Sequence, residues 1–158
     1  MPLKPCTHCL AGKQHRASFQ HGPAQRKPNV LDVMYSDVCG PMTTNTLGGA
    51  RYFVTFINDH SRKVWAYALR TKDQVYEVFK GFHDNVERET GRSLKCIRTN
   101  NIGEYMGAFR NYCRSNGITH ERFVLKTPKH NGIAERMNRT IVERIRTMLS
   151  HAKLPKSF

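Results

Sequence analysis

The chain has 158 residues and is strongly basic, with 26 Lys and Arg against 12 Asp and Glu and a formal net charge of +14. This length suits one domain with its own core, and 39% hydrophobic with 24% charged residues excludes a disordered chain. The charge favours a polyanionic partner such as nucleic acid, although a basic solubility surface has the same composition. Because no apolar run approaches membrane-spanning length, we expect no membrane partner.

The first 29 residues have little hydrophobic pattern and are rich in Lys, Arg, Gln, His and Pro. They predict a short irregular segment rather than a folded layer. Within them, Cys6-x-x-Cys9 has the spacing of half a structural zinc site. We therefore divide the chain into a partial zinc-binding module with a basic connector over 1–29 and a folded core over 30–158.

The first part of the core predicts three strands. Runs of β-branched, aromatic and other apolar residues place these strands at Val30–Val38, Tyr52–Ile57 and Val64–Leu69. Gly48-Gly49 predicts a tight turn and so a hairpin between the first two. Strands this close in sequence are expected to pair antiparallel.

The second part of the core alternates helices with strands. Thr71 and Gln74 have the spacing of a capping box, and Gly91 predicts the end of the helix that they open. The later elements are predicted at Leu94–Arg98 (strand), Ala108–Ser115 (helix), Ile118–Phe123 (strand) and about Ile133–His151 (helix). Strands separated by helices are expected to run parallel, so the fold class is α/β with a mixed five-stranded sheet flanked by helices.

The last predicted helix has an apolar stripe at helical spacing, which we expect to face the core. Its inner residues are predicted to be Ala134, Met137, Ile141, Ile145, Met148 and Ala152.

Three polar residues stand where strands end or helices begin. Asp37 ends the first strand, Asn100 follows the fourth strand, and Glu135 lies in the first turn of the last helix. Taken one at a time, each has an ordinary interpretation: a strand-end turn residue, a turn asparagine, and an i,i+4 partner of Arg139. Their joint placement, together with the residues around them, favours a shared site.

Those surrounding residues resemble a known family. The segments Ser36–Pro41, Arg98–Tyr105 and Asn131–Thr140 resemble the three catalytic signatures of copia-type LTR-retrotransposon integrases. The Cys-Thr-His-Cys stretch continuing to Gly-Lys-Gln over 6–14 looks like the tail of the zinc module that precedes such a core. The resemblance implies an RNase H-like fold and DNA integration by metal-dependent strand transfer.

The resemblance also implies how the site would work. Strand transfer is an in-line displacement at phosphorus, which two Mg²⁺ or Mn²⁺ ions assist by stabilising the attacking and leaving oxygens. In the family, Asp37 would be the ligand shared by both metals, the position of Asn100 would hold one metal, and Glu135 the other. The DNA contacts would come from basic residues around the last helix. The residues that we expect to contact DNA phosphates are Lys126, Lys129, Arg136 and Arg139.

The middle catalytic position departs from the family, because an Asp is expected where the chain has Asn100. An asparagine offers a neutral carbonyl oxygen but no charge, so one of the two ions should bind poorly. The nearby Glu104 is not a substitute, since members of the family carry that Glu beside the Asp. We therefore expect strand transfer to be lost or severely reduced.

The zinc half-site also lacks part of its family pattern. The family's other two ligands are histidines upstream of Cys6, so we expect Cys6 and Cys9 to be metal-free or to bind Zn²⁺ weakly. This truncated pattern leads us to expect a truncated copy of the longer polyprotein.

Two functions therefore stay open. One is an integrase core that retains some metal-dependent transfer, and the other is a non-catalytic nucleic-acid-binding remnant or a domesticated protein; an RNase H-like nuclease would share the fold but not the signatures. Partners implied by the resemblance are element-end DNA, target DNA and further copies of the chain, with a nuclear location.

Overall fold

The computed structural model describes residues 6–13, 26–100, 103–123 and 132–158. Their strands are β1 (Met34–Cys39), β2 (Tyr52–Asn58), β3 (Val64–Leu69), β4 (Cys96–Asn100) and β5 (Thr119–Phe123). Their α-helices are α1 (Thr7–Ala11), α2 (Val75–Thr90), α3 (Ala108–Ser115) and α4 (Gly132–His151), with short 3₁₀ helices at Lys72–Gln74 and Gly103–Tyr105.

The five strands form one mixed sheet in the order β3-β2-β1-β4-β5. β1 pairs antiparallel with β2 and parallel with β4. Of the outer pairs, β2–β3 is antiparallel and β4–β5 is parallel. This confirms the predicted α/β class and the strand directions. β1 lies at the centre of the sheet, so its residues are flanked by strands on both sides.

The first strand begins later than predicted, at Met34 instead of Val30. The preceding residues form a turn in which the Asp32 carboxylate accepts hydrogen bonds from the backbone and side-chain N–H groups of Asn29, both at 3.1 Å. Leu31 has a φ of 66°, which no strand residue adopts. Side-chain hydrogen bonds of Asn and Asp thus override the apolar pattern over residues 30–33.

The connection between β1 and β2 also differs from the predicted tight turn. The two strands pair antiparallel as expected, but residues 40–51 separate them. Gly49, with a φ of 79°, donates its N–H to the Thr46 carbonyl at 2.8 Å. The two glycines therefore make a turn inside a longer loop.

The structure confirms the predicted start and end of the helix after β3. Thr71 and Gln74 form the capping box, in which the Gln74 side chain accepts the Thr71 backbone N–H at 3.2 Å. At the other end Gly91 adopts the left-handed conformation with a φ of 64°, and its N–H donates to the Glu87 carbonyl. Local chemistry alone is sufficient to define this helix.

The two faces of the sheet bury different clusters, because successive side chains of a strand point to opposite faces. Met34 of β1 belongs to the larger cluster, in which α2 and α3 pack on the sheet. The next residue, Tyr35, belongs to a smaller cluster on the other face with Ala134 of α4. The sheet thus lies between α2 and α3 on one side and α4 on the other.

The inner face predicted for the last helix is wrong in its second half. Ala134 is buried, but Ile145 and Met148 are 41% and 61% exposed, and Ala152 is exposed as well. Ile145 instead lines an open cavity of about 350 Å³ together with Phe53 of β2 and Ala66 of β3, so its side chain is only partly covered. Within the described ranges, no helix is long and apolar enough to cross a membrane.

Phe82 supplies a test of the larger cluster. It is 2% exposed, and its ring stacks on Phe56 with a centroid distance of 4.3 Å. Phe82→Ala should lower the free energy of unfolding by about 3–5 kcal/mol, because it leaves a cavity between α2 and the sheet. Urea unfolding would measure this loss.

The control is Leu47→Ala, whose side chain is 74% exposed. It should change the free energy of unfolding by no more than about 0.5 kcal/mol. Equal effects of the two substitutions would contradict the packing described for α2.

Candidate active site

Asp37 lies on the central strand, on the face that α4 covers, and is only 7% exposed. A buried carboxylate is costly unless hydrogen-bond donors reach it. Two side-chain amides do so: Asn100 donates from Nδ2 to Oδ1 at 2.7 Å, and Asn138 donates from Nδ2 to Oδ2 at 2.9 Å. Each oxygen of Asp37 therefore accepts a hydrogen bond from a different element, β4 or α4.

The amide of Asn138 is itself held in one orientation. The Thr55 hydroxyl, on β2, donates to Asn138 Oδ1 at 2.8 Å. Both residues are buried, with exposures of 0% for Thr55 and 4% for Asn138. Because the amide oxygen is engaged by Thr55, the NH₂ group must face Asp37, and β2, α4 and β1 are joined by one chain of hydrogen bonds.

Glu135 lies one helical turn before Asn138 and is exposed. It lines the same groove as Asp37, with a cavity volume of about 410 Å³. Burial raises the pKa of Asp37 to about 6, and the negative charge of Glu135 adds to this rise; the Asn138 and Asn100 hydrogen bonds oppose it. The structure thus brings Asp37 of β1, Asn100 at the end of β4 and Glu135 at the start of α4 close together.

Glu104 is held by a different partner. Its Oε1 forms an ion pair with Lys72 Nζ at 3.0 Å, and its carboxylate is 9% exposed. The hydrogen bond from Lys72 to Glu104 raises the pKa of Lys72. A carboxylate already paired with a lysine would have to leave that partner before it could join Asp37 and Glu135.

The residues present do not fit a pair of divalent metal ions. Mg²⁺ prefers several hard oxygen ligands, and a two-metal site needs carboxylates on both sides of the shared ligand. Asn100 instead presents an N–H group to Asp37. In the part of the chain that the structure describes, no group of three His, Cys, Asp or Glu residues could hold a metal.

Cys6 is the N-cap of α1 and Cys9 lies within this helix, and both are free thiols. Backbone N–H groups of Cys9 and His8 lower the pKa of Cys6, while the hydrogen bond to Cys6 raises the pKa of Cys9. The two thiols thus interact with each other, and no third ligand joins them among the described residues.

The predicted DNA contacts divide into two groups. Lys126 and Lys129 lie outside the described residues. Arg136 and Arg139 are exposed on α4, and Arg139 lines the groove that contains Asp37 and Glu135. Further along the same helix Arg146 also lines it, as does Lys13 from the N-terminal segment.

Sequence reasoning missed the two residues that orient Asp37. Asn138 stands four residues after the buried Ala134, a spacing that places both on one face of α4. A polar residue at a core-facing position was therefore the available signal. Thr55 gave none, because a threonine in a strand is ordinary and its partner lies 83 residues away.

The comparisons with known proteins place these residues in a family context. No family model matches the chain. Over 157 residues, 99% of its length, the chain is 62% identical to the retrovirus-related Pol polyprotein from transposon TNT 1-94 of Nicotiana tabacum. It is 34% identical, also over 99% of its length, to the corresponding polyprotein from transposon RE2 of Arabidopsis thaliana. The chain spans 12% and 10% of the length of these two relatives.

A solved structure shares the fold. The chain superposes on one chain of the simian T-cell lymphotropic virus intasome, solved with PP2A regulatory subunit B56 gamma, with a TM-score of 0.65. The match covers 95% of this chain and 52% of that one at 20% identity. The mixed sheet with its flanking helices is therefore an integrase-like fold.

The raised pKa of Asp37 predicts how stability depends on pH. Its ordinary value is 3.8 and its folded value is about 6, so the folded protein holds this proton more tightly than the unfolded chain. The Asp37 contribution must therefore fall as pH rises from about 4 to about 6. Asp37→Asn removes this loss, because the new amide can accept from Asn138 and donate to a reoriented Asn100.

Urea unfolding in metal-free buffer at pH 4 and pH 7 would test this. The stability of Asp37→Asn relative to the unsubstituted protein should rise by on the order of 1–3 kcal/mol between the two pH values. Titrating groups that do not interact with Asp37 cancel in this difference. An identical pH dependence for both proteins would show that Asp37 ionises normally.

Proposed function

We propose that the chain is an integrase core that binds DNA with strand transfer lost or severely reduced, because it is similar over 99% of its length to retrovirus-related Pol polyproteins of plant transposons and shares the fold of an intasome chain. The observation that carries the loss is the hydrogen bond from Asn100 Nδ2 to Asp37 Oδ1. It puts a neutral donor at the position where the family's chemistry needs an anionic oxygen.

The loss follows from the ligand chemistry of divalent metals. When bound, a pair of Mg²⁺ or Mn²⁺ ions would activate the attacking hydroxyl and stabilise the leaving oxygen. Asp37 and Glu135 are the residues that would contact such ions. Turning the Asn100 amide over would offer a carbonyl oxygen but would leave two oxygens facing each other beside Asp37. The neutral amide therefore disfavours the ions in either orientation.

DNA binding is supported by charge and by the composition of the groove. The net charge of +14 attracts phosphate backbones at long range. Arg139 and Arg146 line the groove beside Asp37, and the family resemblance implies further DNA contacts from Lys126, Lys129 and Arg136. Self-association on element-end and target DNA, and a nuclear location, belong to the same proposal; the structural neighbour is a chain of an intasome.

A second candidate is an integrase core that keeps some metal-dependent transfer. It is favoured by the retention of Asp37 and Glu135 in one groove. One ion held between these carboxylates would be the basis for residual activity. The two candidates differ in catalysis and agree on DNA binding, so one set of variants separates them.

The test compares the unsubstituted chain, Asn100→Asp, and Asn100→Asp combined with Glu135→Gln. DNA joining and disintegration are measured with Mg²⁺ and with Mn²⁺. Only Asn100→Asp should be active, and the unsubstituted chain should be at least about 100-fold slower, since loss of a direct ligand exceeds the effect of losing an outer-shell partner. Joining by the unsubstituted chain at a comparable rate would support the second candidate.

Two controls separate inactivity from misfolding. All three proteins should bind duplex DNA with Kd values within about threefold, because phosphate contacts supply most of the affinity. Mn²⁺ should raise the melting temperature of Asn100→Asp more than that of the unsubstituted chain, since a ligand stabilises the state that binds it. Equal stabilisation would show that Asn100 does not weaken metal binding.

A further inference from the structure

The described part of the N-terminal segment packs on the second half of α4. His8 on α1 is within hydrogen-bond distance of Ser150, with 3.0 Å between Nδ1 and Oγ. The His8 ring also contacts the ring of His151 edge-on, at a centroid distance of 5.2 Å. The segment thus contacts the last turns of α4.

Gly12 allows this segment to approach α4 closely. It is buried, and a Cβ atom at this position would lie 2.1 Å from Thr147 Oγ1. It would also lie 3.0 Å from the Glu143 carbonyl oxygen and 3.0 Å from the Thr147 backbone nitrogen. The Thr147 hydroxyl is engaged with the Glu143 carbonyl at 2.9 Å. Any side chain at residue 12 would therefore push the segment away from the helix backbone.

Lys13 follows directly and has an unusual backbone conformation. Its φ is 55°, in the left-handed region that residues other than glycine rarely adopt. Its N–H donates to the Leu10 carbonyl at 3.0 Å, which closes the turn after α1. This turn places Lys13 in the lining of the groove that contains Asp37 and Glu135.

The groove needs cations if a DNA strand is to enter it. Asp37, Glu135 and Glu143 line it and would repel phosphate. Since the site does not fit a metal pair, protein cations must offset this repulsion. Two of these come from α4, and Lys13 is the cation contributed by another segment.

We propose that the N-terminal segment is part of the DNA-binding site, and that its contact with α4 through Gly12 holds Lys13 as a phosphate-binding residue in the groove. This inference rests on the proposed DNA binding. The competing role is structural: Lys13 would neutralise a groove carboxylate and stabilise the fold without touching DNA. The two roles predict different effects on DNA affinity and on melting temperature.

The experiment measures binding of a fluorescent DNA duplex by anisotropy over a range of salt concentrations. Lys13→Gln should bind roughly three- to tenfold more weakly, and the slope of log K against log salt should become shallower by about 0.9, as for the loss of one phosphate contact. The matched control is Arg88→Gln, which removes one exposed cation from α2 on the opposite face of the sheet. It should leave both the affinity and the slope nearly unchanged.

A second pair of variants tests whether docking of the segment positions Lys13. Gly12→Ala keeps every charge but cannot fit against Thr147, so it should weaken binding as much as Lys13→Gln. The control is Gly81→Ala on α2, where an added Cβ atom meets nothing within 4 Å. It should retain full affinity.

The outcomes are distinguishable. If the unsubstituted chain fails to bind DNA, the proposed function is wrong and this inference falls with it. If the chain binds DNA but Lys13→Gln behaves like Arg88→Gln, only this inference is wrong. Full affinity in Gly12→Ala would overturn the role of the docked segment. A lower melting temperature in Lys13→Gln with unchanged affinity would assign Lys13 the structural role.

Discussion

The hydrogen bonds to Asp37 are the constraint on which the rest of the site depends. A carboxylate that is nearly buried on the central strand must have its oxygens satisfied. Asn100 and Asn138 do this, and Thr55 orients Asn138. The four residues come from β1, β2, β4 and α4, so one polar network sets the position of α4 on the sheet. The only buried residues of this long helix are Ala134 and Asn138, which makes the polar contact a large share of its anchoring.

The asparagine at position 100 changes what the site requires in order to be stable. With an aspartate there, Asp37 would face two negative charges, one at position 100 and one on Glu135, and only bound cations could offset the repulsion. Asn100 replaces one repulsion with a hydrogen bond. Asparagine at this position is therefore compatible with a stable site that holds no cation, whereas aspartate would add to the charge repulsion.

The sequence was most informative where local chemistry decides the structure. The capping box of Thr71 and the left-handed Gly91 set the ends of α2, and the alternation of strands and helices was enough for the sheet. The segments that resemble the family's signatures contain Asp37, Asn100 and Glu135, which the fold brings close together. These are features that a few neighbouring residues determine.

The sequence-based predictions were wrong where contacts between distant parts of the chain determine the structure. The periodic stripe of α4 does not reveal how closely the helix packs on the sheet, so Ile145 and Met148 were expected to be buried and are exposed. The start of β1 depended on the Asn29–Asp32 turn. The partnership of Thr55 with Asn138 spans 83 residues and has no periodic signal. Hydrogen bonds between polar side chains that are distant in sequence are thus the part of a site that is hardest to predict from the sequence.

The second half of α4 is where the N-terminal segment packs. Ala134 and Asn138 are buried in the first half of this helix, while α1 and the following Gly12 contact its second half. Because Glu135 and Arg146 of α4 line the groove and Ser150 of the same helix contacts the N-terminal segment, one helix relates the two. The position of Lys13 relative to Asp37 is consequently fixed by α4.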